Sequence, residues 1–198
     1  MTRPRGRPAQ GSGVARDAIL AAALALLEEG NGSGLTMRGL AARLGVTPMS
    51  LYHHVADRTA LLVALSDLVY GEVMPGPEPD ATGMAAGPHE KCRAELRALL
   101  VRYHDAVARH PQLTLAIFAE PAAFAGVTRR ITERLDTLLA TLTPAHLLWR
   151  DVLVDHAHGS GLALAAARGD AQAAAAMREQ YGRALDCLLA GAAGPAAE

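Results

Sequence analysis

Residues 35–55 have the sequence LTMRGLAARLGVTPMSLYHHV, and this pattern governs how the whole chain is interpreted. Thr36 and Thr47 are suited to cap helix N-termini, because a threonine oxygen can accept a backbone N–H that is left without a partner in the first turn. Pro48 fits the first position of a helix, where its missing N–H costs nothing. Gly45 can adopt the positive φ that a tight turn requires.

The pattern therefore predicts two short helices, residues 37–44 and 48–54, joined by a turn. Their shared apolar positions are predicted to form the buried side: Leu40, Leu44, Val46, Leu51 and Val55. Two short helices held at a steep angle by such a core are typical of a helix-turn-helix.

Helices are also predicted on both sides of this unit. Apolar residues recur at helical spacing over residues 14–29, and the glycine-rich run 30–34 ends that helix. Asp57 is a suitable N-cap for a connecting helix over residues 57–73. Residues 1–13 are rich in Arg, Pro and Gly and are predicted to form a flexible basic arm.

Residues 74–88 contain four prolines and three glycines and are predicted to be a loop. Further helices are predicted after it at residues 89–109, 112–119, 122–142, 144–168 and 171–190. No alternating strand pattern occurs. We therefore expect an all-α fold, with a three-helix helix-turn-helix domain at residues 14–56 and a second helical domain at residues 89–198.

Composition agrees with a helical globular protein. Hydrophobic residues make up 51% of the 198-residue chain and charged residues 20%. Residues 1–60 carry a net charge of +3, while the whole chain carries −1, so the excess positive charge lies at the N-terminus. The two cysteines do not form a disulfide framework, and neither a signal peptide nor a membrane span is apparent. A cytoplasmic protein is expected.

The second short helix carries side chains suited to DNA. Thr47 and Ser50 are small and polar, and Tyr52, His53 and His54 can hydrogen-bond phosphates or base edges. Short side chains at the start of a helix allow it to enter the major groove. A helical bundle corner without a ligand is the competing interpretation.

The sequence of residues 14–70 resembles the TetR family of bacterial regulators, in its tetracycline-repressor-like branch. The resemblance rests on three motifs: Ala21-Ala22-Ala23-x-x-Leu26-Leu27-x-x-Gly30; Leu35-Thr36-Met37-Arg38-x-Leu40-Ala41-x-x-Leu44-Gly45-Val46; and Ser50-Leu51-Tyr52-x-His54-Val55-x-x-Arg58-x-x-Leu61-Leu62. It implies a transcriptional regulator, by family default a repressor that a small-molecule effector releases from its operator.

The resemblance also implies DNA contacts at particular positions. Thr36 and Arg38 are expected to meet a phosphate and a base edge, and Arg58 is expected to meet phosphate. The reading face is expected to comprise Thr47, Pro48, Met49, Ser50, Tyr52, His53 and His54. His53 replaces a tryptophan found in some relatives, and Pro48-Met49 replaces a polar pair. The operator sequence of a relative therefore cannot be assigned to this protein.

The N-terminal arm is a separate signal, because Arg3-Pro4-Arg5-Gly6-Arg7-Pro8 resembles the core of an AT-hook. In that interpretation Arg3, Arg5 and Arg7 enter a narrow A·T minor groove, where negative potential is concentrated. The alternative is a basic tail that makes only non-specific phosphate contacts.

A helix-turn-helix of this size reads half a site, so a palindromic operator and a homodimer are expected. The resemblance implies that helices near 144–168 and 171–190 pair with their mates, and that residues 89–168 enclose an effector site. Candidate effector-binding residues are Tyr103, His104, Phe118, Trp149 and His156, although each could simply be core.

An enzyme is not expected, since the sequence has no P-loop, dinucleotide turn or nucleophile elbow. No cofactor is expected either. No metal is expected, because His156 and His158 point to opposite sides of a helix. The competing function is a helical small-molecule-binding protein that acts mainly through a protein partner.

Overall fold

The computed structural model describes residues 15–30, 34–74 and 87–192, and all regular structure within these ranges is helical. The fold is therefore all-α, as predicted. The α-helices are α1 (Arg16–Glu29), α2 (Met37–Leu44), α3 (Pro48–Tyr52), α4 (Arg58–Tyr70), α5 (Pro88–Arg109), α6 (Pro111–Ala119), α7 (Val127–Ala140), α8 (His146–Ala166) and α9 (Ala171–Ala192).

The α2–turn–α3 unit forms through the local signals that the sequence carries. The Thr36 hydroxyl accepts a hydrogen bond from the Gly39 N–H at 3.0 Å, and Thr47 accepts one from the Ser50 N–H at 3.3 Å. Gly45 ends α2 with φ of 66°. Helix α3 ends at Tyr52, two residues earlier than predicted, because the backbone passes into a turn at residues 53–54.

The predicted buried side of this unit is largely buried. Leu40, Leu51 and Val55 are 0%, 1% and 6% exposed, whereas Leu44 and Val46 pack only partly against the core. Helix α1 contacts α2, α4 and α6, so the three N-terminal helices share one continuous apolar core with the rest of the described chain.

Helix α5 is the centre of the larger part of the fold. It packs along α8 over much of its length and also contacts α7 and α9. Gly161 permits the close approach of α8, because a Cβ there would lie 2.8 Å from the Val107 side chain. Among the described helices, none is long and apolar enough to cross a membrane.

One predicted helix is wrong: residues 122–142 do not form a single helix. A 3-10 turn covers Pro121–Ala123, and α7 begins only at Val127. Gly126 breaks the helix with φ of 58° and ψ of −128°. A Cβ at Gly126 would lie 2.6 Å from the Asp67 carboxylate, so a residue distant in sequence fixes this break.

Several helix ends also differ from prediction. Helices α5 and α6 begin at Pro88 and Pro111 themselves, because proline is well suited to the first helical position. Helix α8 is shorter than the predicted 144–168 at both ends, and α9 extends two residues beyond the predicted 190.

Candidate DNA-reading surface and ligand cavity

Helix α3 and the turn after it present a nearly continuous exposed surface, which we call the reading surface. All seven of its sequence-predicted positions are exposed: Thr47, Pro48, Met49, Ser50, Tyr52, His53 and His54. Leu51, between them, is 1% exposed and anchors the helix to the core. Met49 and Tyr52 are 68% and 46% exposed and add apolar and aromatic area to this surface.

The polar start of the reading surface is preorganised. The hydroxyls of Thr47 and Ser50 lie 3.0 Å apart and share one hydrogen bond, while Thr47 also caps the helix. Since the pair has two hydroxyl protons and uses one between them, the other remains available to an outside acceptor such as a phosphate oxygen.

Three arginines near this surface have different environments. Arg38 is exposed and makes no hydrogen bond or ion pair with the part of the chain that the structure describes. Arg43 instead donates two hydrogen bonds to Glu29, at 2.6 and 2.9 Å. Arg38 is therefore free to meet a phosphate or base, whereas Arg43 is already neutralised.

Arg58, the third predicted arginine contact, is half-buried at the start of α4. Its Nε donates to the Leu35 carbonyl at 3.3 Å, and its guanidinium lies 3.6 Å from the Glu120 carboxylate. It therefore ties α4 to the start of the helix-turn-helix and to the end of α6. The predicted arm residues Arg3, Arg5 and Arg7 lie outside the described residues.

A cavity of about 460 Å³, including its open mouth, lies among α4, α5, α6, α7 and α8. Its wall is formed by Tyr70, Tyr103, Thr114, Ile117, Phe118, Phe124, Thr128, Ile131, Thr132, Leu135, Val154 and His158.

Two hydrogen-bonded pairs contribute to the polar part of this wall, together with the hydroxyls of Thr128 and Thr132. The Tyr70 hydroxyl lies 2.7 Å from Thr114 Oγ1, and the Tyr103 hydroxyl lies 2.6 Å from His158 Nε2. Burial raises the pKa of Tyr70 to about 12 and also raises the pKa of Tyr103. Burial lowers the pKa of His158 below its ordinary 6.5, although Asp155 opposes this. Both pairs are therefore uncharged near neutral pH.

The structure places two of the five predicted effector residues, Tyr103 and Phe118, in the wall of this cavity. His104 is buried outside it, stacked on the Tyr181 ring at 3.9 Å and 3.1 Å from the Ser160 hydroxyl. His156 stacks on Tyr181 at 5.2 Å, in a surface groove between α8 and α9.

Trp149, the last of the five, lies near the start of α8, with its ring against Gly191 of α9. Sequence reasoning missed Tyr70, Phe124 and His158. Tyr70 was assigned to the connecting helix and Phe124 to an uninterrupted helix. The scarcity of aromatic residues was the available signal, because it makes each one a stronger candidate for a cavity wall.

The cavity is linked to the N-terminal helices through α4. Besides Tyr70 in the wall, α4 carries Asp67, which accepts a hydrogen bond from the Val127 N–H at 2.8 Å. At the other end of α4, Arg58 approaches Glu120. The segment 120–127, which carries Phe124 of the wall, is thus attached to α4 at both ends.

A second link joins α1 to the start of α6. Glu28 Oε1 lies 3.8 Å from His110 Nδ1, and neither atom has a hydrogen-bond partner among the described residues. Burial raises the pKa of Glu28, although the backbone of Gln112 and Leu113 opposes this. Burial and the nearby Arg109 and Arg168 lower the pKa of His110.

Comparison with known proteins matches the N-terminal helices to a family. Residues 19–65 match the model of the bacterial regulatory proteins of the tetR family. Over 51 residues the chain is 47% identical to the class D tetracycline repressor of Escherichia coli. The match spans 26% of this chain and only 23% of that repressor.

The fold of the described chain is similar to those of solved regulators over nearly their whole length. The transcriptional regulator SCO7222, a TetR from Streptomyces coelicolor, shares 27% identity, with a TM-score of 0.66 over 91% of this chain and 98% of that one. BioQ, solved with its double-stranded DNA operator, gives a TM-score of 0.65 at 22% identity over 92% and 99%. ActR of Streptomyces coelicolor, solved with (S)-DNPA, gives a TM-score of 0.60 at 22% identity, over 92% of this chain and 98% of that one.

Proposed function

Because residues 19–65 match the model of the tetR family of bacterial regulatory proteins and the fold resembles that of a solved TetR regulator, we propose that the chain is a transcriptional repressor of this family that a small-molecule effector releases from its operator. The observation that carries the proposal is the reading surface. Seven exposed side chains surround the single buried Leu51 of α3, so the reading surface presents mainly polar side chains outward from a fixed position. The match to a family of regulators also agrees with the prediction that the chain is not an enzyme.

DNA contact is assigned to the reading surface together with Thr36, Arg38 and Arg58. Arg38 has no partner among the described residues, so its guanidinium can meet a phosphate or a base edge. Arg58 would have to exchange its contact with Glu120 for a phosphate, so its contribution to affinity is smaller. Arg3, Arg5 and Arg7 are proposed to add minor-groove or phosphate contacts from the arm. BioQ, which shares this fold, was solved with its operator.

A homodimer is proposed to form through α8 and α9, so that two reading surfaces meet successive half-sites. Large apolar side chains near the start of α8 are exposed: Leu147 is 53% exposed, Leu148 66% and Val152 38%. A second copy would cover them in a four-helix arrangement. Gly161 does not serve this face, since it packs against α5.

The effector is proposed to bind in the cavity beneath α4. Tyr103 and Phe118 contribute to its wall, and α4 joins that wall to the start of the helix-turn-helix through Arg58. A ligand that displaces segment 120–127 would move α4 and change the separation of the reading surfaces. ActR, which shares this fold, was solved with a small molecule. The corresponding domain division is a DNA-binding unit at 14–56, the connecting helix 57–73 and an effector domain after residue 88.

The experiment that tests this function is selection of bound duplexes from a random DNA pool with the full-length protein. We expect enrichment of a palindrome whose half-sites are about one helical turn, or a multiple of it, apart. An Arg38→Ala variant should enrich the site more weakly. Arg129→Ala is the control, because it removes an equal charge from the exposed side of α7, and it should enrich the site as strongly as the unaltered protein. A pool that shows no sequence enrichment would contradict the proposal and favour a protein that acts through a protein partner.

A further inference from the structure

We propose that the effector is an electrically neutral, flat and mainly aromatic molecule with one hydroxyl or carbonyl group that binds at the Tyr103–His158 pair. This inference rests on the proposed function, because it specifies the ligand of the cavity beneath α4. Three properties of the cavity wall carry it: its aromatic content, its lack of charge and its pattern of occupied hydroxyls.

Aromatic residues are concentrated in this wall. The chain contains only seven Phe, Tyr and Trp residues, and four of them line the cavity: Tyr70, Tyr103, Phe118 and Phe124. Three of these rings make a continuous series with His158, since the ring centroids of Tyr70 and Tyr103 are 5.7 Å apart, those of Tyr103 and His158 5.3 Å, and those of Phe118 and His158 4.6 Å. Edge and face contacts with such rings favour a flat aromatic ligand.

The mouth of the cavity is apolar as well. Phe118 and Phe124 are 54% and 51% exposed, although phenylalanine is ordinarily buried. Both side chains line the cavity, and an entering aromatic ligand would cover them. A bound ligand that covers these two rings would therefore remove their apolar area from water, which favours binding.

The wall offers no counter-charge to an ionic ligand. Each of its twelve described side chains is apolar, hydroxyl-bearing or an imidazole. His158 is the one titratable cation among them, and burial lowers its pKa. The carboxylate that opposes this shift, Asp155, is exposed on α8. A charged ligand would lose its hydration without gaining an ion pair, so a neutral ligand is favoured.

Most hydroxyl protons in the wall are already donated within the protein. Thr128 donates to the Ala125 carbonyl at 2.8 Å, and Thr132 donates to the Thr128 carbonyl at 3.1 Å. Thr114 donates to the His110 carbonyl at 3.2 Å, so the Tyr70 hydroxyl is the donor in its contact with Thr114. These groups offer a ligand no free proton.

The Tyr103–His158 pair is different because its single hydrogen bond can run in either direction. If Tyr103 donates to His158 Nε2, the tyrosine oxygen can accept from a ligand hydroxyl. If the imidazole donates instead, the tyrosine O–H is free to donate to a ligand carbonyl. The pair therefore accommodates one ligand hydroxyl or one ligand carbonyl at the same place.

Three naphthalene probes separate these requirements: 2-naphthol, which is neutral at pH 7, the anion 2-naphthoate, and naphthalene itself. Calorimetric titration of the full-length protein without DNA should give at least about tenfold tighter binding of 2-naphthol than of 2-naphthoate. Tyr103→Phe should weaken 2-naphthol binding by roughly fivefold and leave naphthalene binding unchanged. Tyr181→Phe is the matched control, because that hydroxyl donates to the Leu100 carbonyl outside the cavity.

Equal or tighter binding of 2-naphthoate would overturn the inference, as would failure of 2-naphthol to bind at about 1 mM. An unchanged affinity of Tyr103→Phe for 2-naphthol would also overturn it. If that variant does not fold, the comparison of the two probes on the unaltered protein still decides. Binding of 2-naphthol without release of the selected operator would contradict the proposed effector release and leave the ligand class standing. Release of the operator by a charged molecule alone would contradict the proposed ligand class and leave the proposed effector release standing.

Discussion

The Asp67 carboxylate on α4 accepts a hydrogen bond from the Val127 N–H at 2.8 Å and thereby caps the first turn of α7. Helix α7 supplies Thr128, Ile131 and other residues of the cavity wall. Gly126, next to Val127, has φ of 58° and leaves room for this carboxylate. One short contact therefore connects the helix that leads to the DNA-reading unit with a wall of the proposed effector site.

This contact predicts the effect of adding a single methyl group. Gly126→Ala should destabilise the protein by about 2 kcal/mol or more, because an alanine at positive φ is strained and its Cβ would meet Asp67 at 2.6 Å. In an Asp67→Ala background the same substitution should cost less, since only the backbone strain remains. Chemical unfolding of the four proteins measures the coupling. Equal costs in both backgrounds would show that the carboxylate does not restrict this site.

The different environments of Arg38 and Arg43 predict different effects on DNA binding. Arg38→Ala should lower affinity for the operator and reduce the slope of log affinity against log salt by about 1, because one phosphate contact is lost. Arg43→Ala removes the same charge from the same helix, but that arginine is already paired with Glu29. Its salt slope should be nearly unchanged. Equal losses of slope in the two variants would contradict the assignment of Arg38.

Buried histidines predict loss of stability in mild acid. Burial lowers the pKa values of His104, His110 and His158 below their ordinary 6.5, so the folded state resists protonation that the unfolded chain accepts. The unfolded chain thus binds more protons below pH 6.5, and the free energy of unfolding should fall as the pH is lowered through that value. Urea unfolding at about pH 7.5 and about pH 5.5 measures the change. No decrease would contradict the buried neutral state of these rings.

Glu28 has the opposite effect on the pH dependence of the free energy of unfolding, and a variant at this position tests that effect. Burial raises its pKa above 4.5, so the folded state gains a proton before the unfolded chain does as the pH falls. Glu28→Gln removes this compensating uptake. The variant should therefore lose stability more steeply than the unaltered protein as the pH falls toward 4.5. A shallower loss in the variant would show that Glu28 is not held in a desolvated position.

The exposed leucines of α8 predict the oligomeric state. Leu148→Glu places a charge where Leu148 is 66% exposed in the single chain, so folding of one chain should be little affected while dimerisation is weakened. Sedimentation velocity at micromolar concentration should show a dimer for the unaltered protein and a monomer for the variant. Leu68→Glu, on α4, is the matched control because Leu68 is 52% exposed. An unaltered protein that sediments as a monomer would contradict the proposed pairing.

The sequence predicted the helix-turn-helix well because its signals are local. The caps at Thr36 and Thr47, the positive φ at Gly45 and the helix start at Pro48 each depend on residues within a few positions. The exposed positions of α3 followed from that register. Their DNA contacts stay a prediction.

The cavity was much harder to predict, because five helices contribute to its wall. The break at Gly126 depends on Asp67, about sixty positions earlier, so helical periodicity alone extended α7 too far. His104 and His156 are aromatic candidates on the same two helices as Tyr103 and His158. A difference of one or two positions rotates each side chain toward Tyr181 instead of the cavity.

The central claim is that α3 reads DNA sequence, and fluorescence anisotropy with the selected duplex and a scrambled duplex tests it most directly. We predict at least about a thousandfold preference for the selected duplex at physiological salt. Tyr52→Ala should reduce that preference roughly tenfold or more, with little change in affinity for the scrambled duplex. Equal affinity for the two duplexes, or a preference that survives substitution of the exposed α3 side chains, would contradict the account.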